Sequence, residues 1–70
     1  MPLSMVNAGE CRIVQDFQGD DQLKARLRDM GFFPGEPVLV IGENPSGLIL
    51  EVKGVRLALN RGLAHKISVA

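Results

Sequence analysis

LILEVKGVRLAL, residues 48–59, sets two strand-like arms on either side of Lys53-Gly54. A two-residue link ending in glycine suits a primed β-turn, and such a turn dictates the pairing of everything beside it. Val52 then faces Val55, Leu50 faces Leu57 and Leu48 faces Leu59, an apolar face of six residues, while Glu51 faces Arg56 on the other side. Turn chemistry and residue pattern agree on a β-hairpin, which makes the chain mainly β.

Downstream of the hairpin, Asn60 to His65 reads as a turn or a single helical turn, and Lys66 to Val69 as a last short strand with Ile67 and Val69 inward. Upstream, Glu43 to Gly47 (ENPSG) reads as a loop. Val38-Leu39-Val40-Ile41 is apolar on both parities, which predicts a strand covered on both sides, by a barrel interior on one and by the helix on the other. Pro34-Gly35 fits the central positions of a type II turn, because proline pre-sets the first φ and glycine accepts the positive second one.

Before that turn, Asp20 and Asp21 open a helix in which Leu23, Leu27 and Met30 fall at i, i+4 and i+7 as one apolar stripe. Lys24, Arg26 and Arg28 follow toward the C-terminal end, where cations oppose the helix dipole. Gly31 closes the helix in the left-handed conformation, and Phe32 folds back against Leu27. Phe33, held extended by Pro34, either points away from the helix or completes the core from the other side. If it points away, Arg26, Met30 and Phe33 form the candidate partner-binding set, since a guanidinium, a flexible thioether and an aromatic ring are side chains enriched at interfaces. Cys11 to Phe17 (CRIVQDF) reads as a first strand of imperfect alternation, and residues 1–8 are expected to be mobile. These elements make one domain, residues 1–70: a small SH3-like β-barrel of about five strands with one short helix inserted after the first.

Composition narrows the function. A chain of 70 residues has room for a single core, and its eight Lys/Arg balance eight Asp/Glu. Zero net charge removes the attraction on which non-specific binding to nucleic acid or an anionic membrane depends, so neither is expected as a partner. One cysteine, Cys11, makes no internal disulfide and points to a reducing, cytoplasmic location. The longest wholly apolar run, Val38 to Ile41, is far below the roughly 20 residues that span a bilayer. Metal binding calls for several converging ligands, and the chain offers Cys11, read as a packed strand residue, and His65, read as solvated surface, with scattered acids and no dense cluster. No catalytic dyad, cofactor site or phosphate loop is indicated: Gly31 to Gly35 contains proline and runs into a strand. The absence of Trp and Tyr speaks against a proline-rich-peptide groove. An enzyme is not expected.

Met30-Gly31-Phe32-x-Pro34-Gly35 after the helix, a Val-rich strand, the Gly54 hairpin, Leu57-Ala58-Leu59, Ala64 and Ile67-x-Val69 together resemble the FeoA family, small cytoplasmic components of bacterial ferrous iron uptake, from about Gly9 to Val69. A related SH3-like domain ends some iron-dependent repressors, and a chain carrying this domain alone is expected to be the free-standing transport component. Two positions depart from the family pattern: Asn44-Pro45-Ser46-Gly47-Leu48 stands where Gly-Asp-Pro is frequent, and Asn60 where arginine is common. The resemblance implies an SH3-like fold and a regulatory role, by protein–protein interaction, beside the FeoB-type membrane transporter. It leaves room for self-association. The alternative is an iron-responsive domain that binds a transition metal directly.

Overall fold

The hairpin pairs as the turn dictates. In a computed structural model that describes residues 1–70, the elements run as a 3-10 turn (Leu3–Met5), β1 (Cys11–Phe17), α1 (Asp21–Asp29), β2 (Pro37–Asn44), β3 (Gly47–Val52), β4 (Val55–Asn60), α2 (Arg61–His65) and β5 (Ile67–Val69). Val52 faces Val55, Leu50 faces Leu57, Leu48 faces Leu59 and Glu51 faces Arg56. Lys53 and Gly54 both have positive φ, 53° and 77°, as a primed turn requires. The predicted apolar face is not uniform, however. Leu48, Leu50, Val52 and Leu59 are buried, Leu57 is half-buried, and Val55 is 61% exposed. β4 is an edge strand, so its far end has no neighbour to cover it.

The five strands form one antiparallel sheet in the order β4-β3-β2-β1-β5. Buried residues from every strand meet those of α1, α2 and the N-terminal turn in one cluster, which makes the sheet the small barrel expected, with one helix inserted after the first strand. Two irregularities curl it. β1 carries a bulge between Val14 and Asp16, so that Val14 and Phe17, three residues apart, both reach the core. That extra residue explains the imperfect alternation of CRIVQDF. β2 has a second bulge between Val40 and Gly42. Val38 and Val40 are buried, whereas Leu39 and Ile41 stay half-exposed. The helix therefore does not cover the outer parity of β2 as expected; its Leu27 joins the same core as Val38 and Val40.

Three further segments differ from expectation. The loop of residues 43–47 shrinks to Pro45-Ser46, because β2 and β3 pair through to Asn44 and Gly47. The Asn44 Oδ1 accepts from the amides of Ser46 and Gly47, both at 2.9 Å, and so fastens this turn from within. Asn60 caps α2: its Oδ1 accepts from the Leu63 amide at 2.8 Å. The opening residues, expected to be mobile, are packed instead. Leu3 and Val6 belong to the core, and Val69 donates to the Met1 carbonyl at 2.8 Å. Their apolar side chains find cover that only the assembled barrel provides.

Candidate functional site

The exit of α1 is built by local chemistry. Asp20 caps the N-terminus, its carboxylate accepting from the Leu23 amide at 2.8 Å. At the other end Gly31 donates to Arg28 at 2.9 Å and Phe32 donates to Leu27 at 3.1 Å. These two bonds, with Gly31 at φ 101°, make a Schellman closure. The motif returns the chain toward the core, and Phe32 is 0% exposed there beside Leu27. Glu36 then donates to Phe33 at 2.9 Å across Pro34-Gly35, with Gly35 at φ 91°, as the type II reading predicts.

Phe33, the next residue in the chain, is 41% exposed. It does not complete the core. Above its ring sits the Lys53 ammonium, 4.8 Å from the centroid, so the tip of the β3–β4 hairpin lies against the helix exit. A second approach supports this placement: a Cβ added at Gly31 would meet the Val52 Cγ1 at 3.5 Å. The apolar Val55, past the same turn, adds exposed surface to the hairpin tip.

Of the other candidates, Met30 is half-buried and packs on the core, so it contributes less surface than expected. Arg26 is exposed and makes no ion pair. It lines a shallow hollow along α1 with Asp20, Gln22, Leu23, Ala25 and Asp29, on the flank of the helix. The structure thus adds Lys53 and Val55 to Phe33 and turns Met30 partly inward. Sequence reading had only a weak signal for Lys53: it places a cation at a turn and says nothing about where the turn reaches.

Polar chemistry is sparse. Cys11, expected to be packed, is exposed on β1, because the bulged strand turns Val14 and Phe17 inward and Cys11 outward. His65 is exposed at the end of α2, where its Nδ1 lies 3.1 Å from the Ser4 Oγ. No three His, Cys, Asp or Glu side chains come together. The Asn7 amide above all, and the Arg12 guanidinium, hold the Glu10 carboxyl below the usual carboxylate range. These contacts, at 3.0 and 2.8 Å, fasten the segment before β1. No helix is long and apolar enough to cross a membrane.

Comparison with known proteins gives a consistent answer. The model of the FeoA domain matches residues 1–70. A Methanocaldococcus jannaschii protein provisionally named Fe(2+) transport protein A is 35% identical over 68 residues, 97% of this chain and 83% of that protein. The crystal structure of an iron uptake regulatory protein, FeoA, superposes with a TM-score of 0.91 at 36% identity, covering 99% of this chain and 93% of the other. Stenotrophomonas maltophilia FeoA, solved in complex with zinc and described as an SH3 domain protein, matches with a TM-score of 0.80 at 32% identity, over 100% and 89% of the two chains.

Proposed function

The chain belongs to the FeoA family of ferrous iron transport accessories, and from that premise we propose that it acts without catalysis, in the cytoplasm, by docking on the cytoplasmic part of a FeoB-type transporter. The observation that carries the reading is the split between the two phenylalanines: Phe32 is sealed in the core, and its neighbour Phe33 is held out on a rigid turn under Lys53. An aromatic ring placed before binding loses little entropy on docking, and one face of this one already carries the Lys53 ammonium. Phe33 is the anchor, Met30 lends its exposed part as adaptable apolar contact, Lys53 supplies positive charge at the ring, and Arg26 supplies more from the flank of the helix. The matching site on the transporter is an apolar pocket with an acidic rim.

Co-purification of the tagged protein with its transporter, with and without ferrous iron, tests this. The wild-type chain should be retained in both conditions, and Phe33→Ala should be lost while remaining folded. Retention of Phe33→Ala at the wild-type level would move the docking surface elsewhere.

A second reading, direct metal sensing, is favoured by the zinc complex of the Stenotrophomonas maltophilia relative. In this chain its candidates are Cys11 and His65, which lie on separate elements, β1 and α2, with no third ligand converging on them. Two protein ligands are too few for a closed site. Anaerobic calorimetry with ferrous iron should give weak binding at most. A stoichiometric sub-micromolar site abolished by Cys11→Ala or His65→Ala would establish the sensing role.

A further inference from the structure

The sheet has two edges, β4 and β5, and they are finished differently. β5 is three residues long, and the N-terminus covers its outer side: the Val69 amide donates to Met1 at 2.8 Å, the Met1 ammonium donates to Val69 at 3.0 Å, and Pro2 bridges to Ser68. β4 has six residues and pairs with β3 alone, in an unbroken register.

The two-residue hairpin decides which β4 groups face outward. Val55, Leu57 and Leu59 are directed at Val52, Leu50 and Leu48, so the N–H and C=O groups of Arg56 and Ala58 and the N–H of Asn60 point to the free side, while the Asn60 carbonyl opens α2. These Arg56, Ala58 and Asn60 groups make no backbone hydrogen bond to turns or loops, and all three residues are exposed. Of the usual protections of an edge, β4 carries one charge, Arg56, tied to Glu51 on β3, and has no proline, no lysine and no bulge.

We propose that β4 is a self-pairing edge, to which a second copy of this chain adds its own β4 antiparallel about a twofold axis at Ala58. In that register Ala58 faces the partner's Ala58, Arg56 faces the partner's Asn60, and Leu57 faces the partner's Leu59. The smallest side chain sits on the axis, where the two copies of one residue form the central hydrogen-bonded pair. No like charges oppose each other, and each Arg56 keeps its own Glu51, 3.8 Å away. The half-exposed Leu57 gains an apolar neighbour, so the leucine face of each hairpin continues into the other. Shifting the axis to Arg56 would set two guanidinium groups opposite each other, which disfavours that register. The surface is distinct from the Phe33 site, and neither proposal depends on the other.

Sedimentation velocity from micromolar concentrations to about 1 mM spans the range in which an interface this small associates. The expected result is a reversible monomer–dimer equilibrium, lost in Ala58→Pro, because proline is tolerated where the N–H faces away from the sheet but removes the central intermolecular donor. Amide exchange on the wild-type chain provides a reading that needs no variant. The Arg56, Ala58 and Asn60 amides should slow as concentration rises, while those of Leu57 and Leu59, already bonded to β3, should not change. A chain that stays monomeric to about 1 mM, a folded Ala58→Pro that still dimerises, or amides indifferent to concentration would each overturn the proposal. If the monomer instead loses its transporter when Ala58→Pro is introduced, the edge receives a strand from that other protein, and self-pairing is excluded.

Discussion

Phe32 and Phe33 are neighbours with opposite surroundings, and their truncations should separate cleanly. Phe32→Ala empties a fully buried volume and should destabilise the domain by about 3 kcal/mol. Phe33→Ala removes a ring that already meets solvent and gives up a cation–π contact worth about 0.5–1 kcal/mol at an exposed site. Chemical denaturation of the two variants checks the difference, and equal losses would mean that both rings are core. Gly47 is the second position where a single atom decides. A Cβ there would lie against the Leu59 carbonyl and 2.8 Å from the Asn60 Cα, backbone that has no room to yield. Gly47→Ala should therefore cost about 1–3 kcal/mol through overpacking, measured by thermal unfolding. An unchanged midpoint would show that β3 and β4 do not approach so closely.

At the scale of elements, the hairpin offers the sharpest test. Nothing lies within 4 Å of a Cβ built on Gly54, so substitution there meets no steric obstacle beyond its own backbone. The cost is conformational: valine resists positive φ, and Gly54→Val should lose on the order of 1 kcal/mol or more. Asparagine tolerates the left-handed region, and Gly54→Asn should lose less. Thermal unfolding in which both were neutral would contradict the primed turn. Helix α2 depends on its cap in the same local way. Asn60→Ala leaves the Leu63 amide without its acceptor and should destabilise by about 1 kcal/mol; recovery of most of that loss in Asn60→Asp would show that the side-chain oxygen is responsible. Asn60 thus has a structural reason to differ from the arginine common in the family, since an arginine side chain carries no acceptor.

Across the whole molecule, the N-terminus is part of the barrel and not an appendage. Leu3 is fully buried against the rest of the core, and the first residues close the outer side of β5. Leu3→Ala should cost about 2–5 kcal/mol, which is comparable to the few kcal/mol of net stability a domain this small holds. Loss of cooperative thermal unfolding would be the visible result. A variant as stable as the wild type would restore the expectation of a mobile start.

The sequence alone determined what depends on neighbours in the chain. The Lys53-Gly54 turn set the pairing of β3 with β4, because a two-residue loop admits one register. The Schellman closure at Gly31 sent Phe32 inward, because the φ of one glycine fixes the direction of the residue after it. Pro34-Gly35 set the turn that carries Phe33. Tertiary structure decided what depends on who arrives from elsewhere. The burial of Leu3, the exposure of Val55 and Cys11, the half-cover of Leu39 and Ile41 and the seat of Lys53 over Phe33 all follow from the sheet order β4-β3-β2-β1-β5 and its two bulges. Hydrophobicity specifies that a side chain gains by leaving water, and it carries no direction. Which apolar residues find cover, and which ring is left exposed, is settled only when segments distant in the chain have packed.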